Sequence, residues 1–469
     1  MKRVVLIIIL ITRIQFLSVA QLSTIYHFIG GNTGSNPYGT PISDGVYLYG
    51  LTQSGGVNAK GNVFKIKLDG TGYVNLYDFD GLNGAYPYGS LISDGTYLYG
   101  MTRNGGASFV HPSVPDNGVI FKIKPDGTGF SVIYEFDGTN SGDNVNGGMP
   151  NGGDLLLIGQ TLYGMTGSKD AVFKIDSNGN NFSKLFDFSS PNGQYPLGTL
   201  ITDGTYLYGV TEGGGSNNWG TIFKIKTDGT DYNNVFEFYN TLSYSNPHGS
   251  LLSDGTNFYG MAVNCVYKIK QDGTGFDTIV KFKGTNGSLN NYNTFAQNSL
   301  ITDGTYLYGT TNEGGANSKG CVFKVKYDGT SYTKLADFNG TNGQNPYGSL
   351  VLVGSDLYGM TTLGGTYGKG TIYKIANQVT SIHENKSNYM VKVFPNPTND
   401  ILNVKVFSKL SSIKENSKVT ITNVLGKVIY SANSDTDSFK LDVSNFESGI
   451  YFVSIENSNN TTSIKFIKH

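Results

Sequence analysis

Apolar residues in this chain gather in short runs broken by turn-forming pairs. SLISDGTYLYGMT (90–102) sets the pattern: an apolar run, Asp94-Gly95, then a second apolar run. Its centre returns as SDGVYLYG at 43–50, TDGTYLYG at 202–209 and 302–309, and SDGTNFYG at 253–260. Runs this short, rich in Tyr, Val, Ile and Phe and bounded by Asp-Gly, read as β-strands joined in hairpins. The Gly supplies a positive φ and the Asp bonds back to the backbone. The closing Tyr-Gly falls at Gly50, Gly100, Gly164, Gly209, Gly260, Gly309 and Gly359, seven copies 45 to 64 residues apart. A Phe-Lys-Ile type mark follows each, from Phe64-Lys65-Ile66 to Tyr373-Lys374-Ile375, and then an aromatic-ended strand such as LYDF at 76–79. Four strands per unit with a period near 50 residues predict a β-propeller.

The aromatic-ended strand is missing after the seventh unit, where the chain runs into NQVTSIHENKS. Its counterpart stands at the other end of the repeats, as STIYHF at 23–28. A chain that starts with a last strand and stops one strand short closes a ring, which removes the open sheet edges of a linear array. The fold expected is all-β: a seven-bladed β-propeller over residues 22–378, closed by the N-terminal strand.

Composition sharpens this picture. The chain has 469 residues, of which 64 are Gly, 32 Tyr and 27 Phe, with 15% charged. That balance suits many short strands and tight turns. A net charge of −1 argues against nucleic acid and anionic membrane as partners, since both demand a basic surface. The start, MKRVVLIIILITRIQFLSVAQ, has the plan of a secretory signal peptide over 1–20, cut after Ala20. No other stretch approaches the ~20 apolar residues of a membrane span, so no transmembrane helix is expected once the signal is removed. Cys265 and Cys321 hold equivalent places in successive repeats. They read as two buried free thiols rather than a disulfide.

The combination of Asp-Gly, Tyr-Leu-Tyr-Gly, Thr-x-x-Gly-Gly and Phe-Lys-Ile over most of 30–376 resembles the GloVer-type tandem repeats of bacterial exported proteins. That resemblance supports the fold and implies no activity. At about residue 378 the composition changes: residues 379–388 read as a linker, and strands with alternating apolar positions follow. Leu402, Val404 and Val406 form one face, and Asn403 and Lys405 the other. Phe394-Pro395-Asn396-Pro397, the turn from Asn423 to Lys427, Gly449-Ile450-Tyr451 and Lys465-Phe466-Ile467-Lys468 resemble the type A sorting domain of the type IX secretion system, known from Bacteroidota. The resemblance implies a small immunoglobulin-like β-sandwich over 389–469 and the secretion machinery as its partner. It implies a protein carried through the periplasm and then released or attached to the outer-membrane surface.

Activity then belongs to the repeats. Asp44, Asp94, Asp203, Asp254 and Asp303 are spread evenly through them, whereas a catalytic carboxylate is needed once or as one close pair, so they read as turn residues. The lysines of the Phe-Lys-Ile marks read as partners of carboxylates such as Asp78 and Glu135. No HExxH, GxSxG or phosphate-binding glycine loop appears, and the five His are scattered. The stretch 137–143 (DGTNSGD) lacks the distal Glu of an EF-hand, and no cofactor or metal is expected. Function is expected where the repeat departs from itself, on the side of the variable loops. Tyr38, Tyr88 and Tyr347 share one position that Leu197, His248 and Gln297 fill elsewhere, and Trp219 is the single tryptophan. Aromatic faces among Asn, Ser and Gly suit sugars or peptides, so Tyr38, Tyr88, Trp219, His248 and Tyr347 are the candidate ligand contacts; the alternative for each is packing between blades. The expected function is a surface binding module for glycan or protein. The alternatives are a glycan-active enzyme using Glu212, Glu313, Asp143 or Asp154, and a purely structural surface protein.

Overall fold

The structure is a computed structural model. It describes residues 21–376 apart from 107–117, 137–149, 151–152, 168–169, 240–245 and 290–297. It also describes 389–468 apart from 395–397, 409–416, 424–427, 435, 437, 447–448 and 458–459. The signal peptide, the 137–143 stretch and the linker thus lie outside the described residues. The chain divides into two compact units, one up to Gln378 and one from Val379.

In the first unit the described residues form seven four-stranded antiparallel sheets, with strands in sequence order in all but the last. They span Ile42–Asp78, Ile92–Glu135, Leu156–Asp187, Gln194–Glu237, Pro247–Lys281, Ile301–Asp337 and Val351–Ala376. The seventh takes its outer strand from the start of the chain: Gln21–His27 pairs antiparallel with Thr371–Ala376, from Gln21↔Ala376 to His27↔Thr371.

Each apolar core lies between two consecutive sheets. Tyr49, Leu51, Val63 and Phe79 of the first pack on Leu91, Leu98, Phe121 and Ile123 of the second. The series continues to Phe28, Tyr358, Met360 and Ile372 of the seventh sheet, which pack on Leu48, Phe64 and Ile66 of the first. The aromatic ends of the outer strands fill these cores, and Phe28, Phe79 and Phe338 are fully buried. The Tyr-Gly motif also has a packing reason. Gly50 lies opposite Phe64, and a Cβ on Gly50 would stand 2.6 Å from the Phe64 ring.

The repeated Asp does more than turn the chain. Asp94 Oδ1 accepts the N–H of Thr96 and of Tyr97, each at 2.7 Å, and Oδ2 accepts the Tyr99 hydroxyl at 2.8 Å. Asp44, Asp203, Asp254 and Asp303 hold Tyr49, Tyr208, Tyr259 and Tyr308 in the same way. Burial alone would raise the Asp94 carboxyl, but the Tyr97 N–H, the Tyr99 hydroxyl and the Thr96 N–H outweigh it and bring it below its usual value.

The repeat lysines behave differently from expectation. Lys65, Lys122, Lys224 and Lys324 lie over Tyr47, Tyr97, Tyr206 and Tyr306, 4.6–5.1 Å from the ring centroids. The Asp78 carboxylate accepts instead from Val57 N–H and Asn75. The tyrosine that opens the second strand lies diagonally across from the lysine: Tyr47 pairs with Lys67, and Tyr49 with Lys65. In the seventh sheet Asp356 replaces that tyrosine and pairs with Lys374 at 2.6 Å. Cys265 and Cys321 are free and buried, as the sequence suggests.

The second unit has a three-stranded sheet (Tyr389–Phe394, Ile401–Ser408, Ser438–Asp442) and a four-stranded one (Ser417–Asn423, Val428–Ser434, Gly449–Asn457, Asn460–Lys468). Leu402, Val404 and Leu441 from one and Val419, Ile421, Tyr451, Val453 and Phe466 from the other share a single core. Tyr451 and Phe466, both in the motifs quoted above, stack at 5.6 Å. Residues 395–397 of the Phe-Pro-Asn-Pro motif lie outside the described residues.

Candidate functional site

Before or within the first strand of each sheet stands a glycine (Asn298 in the sixth) followed by a hydroxyl or carboxyl side chain, and these join the sheets in a closed circuit. Thr40 N–H donates to Ser90 Oγ at 2.8 Å, and Ser90 N–H to Asp154 Oδ1 at 2.5 Å. Thr199 Oγ1 donates to Asp154 Oδ2 at 3.1 Å. Thr199 N–H then reaches Ser250 Oγ, Ser250 N–H reaches Ser299 Oγ and Ser299 N–H reaches Ser349 Oγ, at 2.7–2.8 Å. Ser349 N–H closes the ring on Thr40 Oγ1 at 2.8 Å. Asp154 is the one carboxylate of the seven. Burial raises its pKa against the hydrogen bonds from Ser90 and Thr199, and its place in this circuit is a structural one.

The candidate ligand residues stand one step before the glycines of this ring. Tyr38 stacks on Tyr347 with centroids 5.2 Å apart and touches Tyr88 at 4.8 Å, so the seventh, first and second sheets share an aromatic row. Burial, and then the neighbouring Tyr88 and Tyr347, push the Tyr38 hydroxyl up to about 12. Gln53 Nε2 donates to the Tyr88 hydroxyl at 3.2 Å, and the Arg103 guanidinium lies over the Tyr88 ring at 5.6 Å. His248, at the same position in the first strand of the fifth sheet, is 1% exposed, and among the described residues neither ring nitrogen has a hydrogen-bond partner. Burial lowers it to about 4. Trp219 is not part of this group: it is half-buried against the core between the fourth and fifth sheets, with Tyr208, Ile222 and Phe258.

Glu212 is the next-to-last residue of the second strand of the fourth sheet and is 7% exposed. Burial raises its carboxyl to about 7. A folded-state pKa above the unfolded value gives stability that is full below pH 4.5 and is lost as pH rises through about 7. We expect Glu212→Gln to remove that dependence, gaining about 3 kcal/mol over the parent at pH 8 and little at pH 5. Thermal melts of both proteins across that range check it; equal pH slopes would contradict a buried, titrating Glu212.

Among the carboxylates considered for catalysis, Asp143 lies outside the described residues. Among the described residues no three His, Cys, Asp or Glu side chains come together to hold a metal ion. A groove of about 460 Å³ opens on the opposite, Asp-Gly side between the second and third sheets, lined by Tyr97, Tyr99, Lys122, Gln160 and Asn178 among others. Sequence reasoning missed it, because it forms where the turn phrase degrades to LIGQTLYG and Thr161 replaces the tyrosine.

The chain is similar to known proteins in three ways. A Gloeobacter/Verrucomicrobia repeat matches residues 109–291 and 262–392, more than half of the chain, and a secretion system C-terminal sorting domain matches 392–469. No curated protein matches it. Among solved structures it is similar to the extracellular domain of a putative one-component system from B. thetaiotaomicron, at 12% identity over 96% of this chain and 60% of that one, TM-score 0.50. It is also similar to PorZ, a surface component of the type IX secretion system of Porphyromonas gingivalis, at 16% identity over 94% and 60%, TM-score 0.46. A third likeness is the GH74 enzyme of Niastella koreensis, at 14% identity over 94% and 74%, TM-score 0.48. The chain spans about 60% of the length of the first two. These likenesses concern the fold alone. Among the described residues no helix is long and apolar enough to cross a membrane. The sorting domain marks the protein for secretion or the cell surface. The chain therefore belongs to the Gloeobacter/Verrucomicrobia repeat family and carries a type IX sorting domain.

Proposed function

We propose that residues 22–378 form a seven-bladed β-propeller that works at the bacterial surface as a binding module for glycan or protein. Residues 1–20 are its signal peptide, 379–388 a linker, and 389–469 an immunoglobulin-like sandwich that addresses it. The observation that carries this reading is the aromatic row Tyr347–Tyr38–Tyr88 beside the ring that joins the sheets. Aromatic faces set among amides and hydroxyls suit ligands with one apolar and one polar side. The cycle of cores that returns from the seventh sheet to the first supports the closed propeller.

Glycan and peptide arrays probed with the exported chain test the reading. Tyr88→Ala is expected to weaken binding at least tenfold, and Trp219→Ala, which alters a packing residue, to leave it within about twofold in protein that still melts cooperatively. Binding untouched by Tyr38→Ala and Tyr88→Ala would remove this face from consideration. The buried Glu212 carboxyl, raised into the neutral range, favours one other reading, a glycan-active enzyme. Polysaccharide turnover that disappears in Glu212→Gln would put that reading in place of the first.

A further inference from the structure

Two of the seams between sheets are tied by the lysine of a third strand. Lys65 of the first sheet donates to the Pro125 carbonyl of the second at 3.0 Å, and Lys174 of the third to the Thr227 carbonyl of the fourth at 3.4 Å. Between the second and third sheets the corresponding residues are Lys122 and Ser177, and there the groove of about 460 Å³ takes the place of that bond. Two small residues help to keep it open. In the sixth sheet Tyr327 holds the position of Ser177; its ring meets Tyr259 edge-on at 5.0 Å and its hydroxyl shares a hydrogen bond with Thr302 Oγ1 at 2.6 Å. In the fourth sheet Asp231 accepts the Tyr206 hydroxyl at 2.6 Å, whereas Gly129 holds that position beside Tyr97.

The polar groups left facing this groove are mostly donors. Among the described residues Lys122 makes no hydrogen bond or ion pair, and its ammonium lies 5.1 Å from the centre of the Tyr97 ring. The Tyr97 hydroxyl and the exposed Gln160 amide are likewise unbonded among the described residues. Asn178 Oδ1 accepts the Asn180 N–H at 2.9 Å, which leaves its NH2 group to donate. Asp94, the one carboxylate of the lining, has both oxygens taken by Thr96 N–H, Tyr97 N–H and the Tyr99 hydroxyl. A ligand here must therefore supply acceptors. An ammonium without a paired carboxylate favours an acceptor that is itself charged, because such hydrogen bonds are the stronger ones. Leu157 is the one aliphatic side chain of the lining, so the groove has no pocket for an apolar peptide side chain and suits a ligand polar over its whole surface, as a saccharide is. Its volume falls in the range of small-molecule sites, roughly 300–1,000 Å³.

We propose that this groove binds an acidic saccharide, with a uronic-acid carboxylate bonded to Lys122 and hydroxyls bonded to Gln160 and Asn178. The site lies on the side opposite the variable loops, and it stands or falls independently of the Tyr347–Tyr38–Tyr88 row.

Isothermal titration calorimetry with the exported chain tests it, using trigalacturonate, trimannuronate and a hyaluronan tetrasaccharide as acidic probes, maltotriose as the neutral one and triglutamate as the acidic peptide. At least one acidic saccharide is expected to bind, more weakly as salt rises, while maltotriose and triglutamate give no heat. Lys122→Met, which keeps the stem and removes the charge, should weaken binding about tenfold or more, and Lys122→Arg should hold it within about threefold. Ser177→Tyr should fill the groove and abolish binding; Tyr327 shows that the repeat accepts a tyrosine at this position. Tyr88→Ala should leave it unchanged. The inference is overturned by silence from all three acidic saccharides, by preference for maltotriose or triglutamate, or by binding that survives Ser177→Tyr or Lys122→Met in protein that still melts cooperatively. Acidic-saccharide binding lost in Tyr88→Ala but kept in Lys122→Met would also sink it, and would leave the binding module on the tyrosine row standing.

Discussion

Deleting residues 21–28 is expected to abolish the cooperative melt of the repeat unit or to lower its Tm by more than 10 °C. The segment pairs along the whole of Thr371–Ala376 and closes the seventh sheet. Phe28 is fully buried and meets Phe64 edge-on at 5.4 Å, and Tyr26 stacks on Tyr73 at 4.7 Å. Burial of Ile25, Tyr26 and Phe28 contributes roughly 1.5–3 kcal/mol for each side chain fully buried. The loss extends beyond those side chains, because the deletion bares the strand Thr371–Ala376 as a sheet edge and exposes the core shared by the seventh and first sheets. Calorimetry of the truncated and parent proteins decides the matter, and an unchanged Tm would mean that the ring does not depend on this strand.

Gly39→Ala is expected to cost roughly 3 kcal/mol, the upper end for overpacking, and to do so without touching a side chain. A Cβ at Gly39 would lie 2.2 Å from the carbonyl oxygen of Gly89 and 2.6 Å from its carbon, and one at Gly348 would lie 2.3 Å from the oxygen of Gly39. These are backbone contacts, which no rotamer change relieves. The chain can give way only by widening the ring, which stretches the bonds from Thr40 to Ser90 and from Ser349 to Thr40. Thr40→Ser, which keeps the hydroxyl, is the matched control and should sit within about 0.5 kcal/mol of the parent. Urea midpoints of the two variants make the comparison. Equal midpoints would show that the ring dilates freely. In the sixth sheet a larger residue stands at this place while the neighbouring ring bonds stay at 2.7 and 2.8 Å. There Asn298 takes the glycine's place, and its amide donates to Thr310 Oγ1 at 2.8 Å and to the carbonyl of Pro346 at 2.9 Å.

Much of the repeat was legible because its signals are local. An Asp-Gly turn, a Tyr-Gly facing an aromatic and a strand ending in Phe each show themselves within about ten residues, and their recurrence supplies the count. The strand at 23–28 was legible for the same reason, as a misplaced copy of a known part. What stayed hidden lies between sheets. Ser90, Asp154 and Thr199 look like unrelated small polar residues until their sheets meet. The lysines misled for a different reason: charge complementarity pointed to Asp78, but strand register places Lys65 beside Tyr47. Trp219 stood out by rarity, and rarity does not distinguish a ligand platform from a wedge between sheets.

The outer strand of the seventh sheet has a consequence for the order of events in folding. The contacts that complete the ring join residues more than three hundred apart, Ser23 to Lys374 and Ser349 to Thr40. Six sheets are local and form as their own segments arrive, but the first strand has no partner until nearly the whole repeat has followed it. Loop closure of that length is slow and comes last. During export the chain thus carries an unpaired leading strand until its final repeat emerges. The last step binds the first and seventh sheets together at once, so protection from protease arrives as a single late event rather than sheet by sheet.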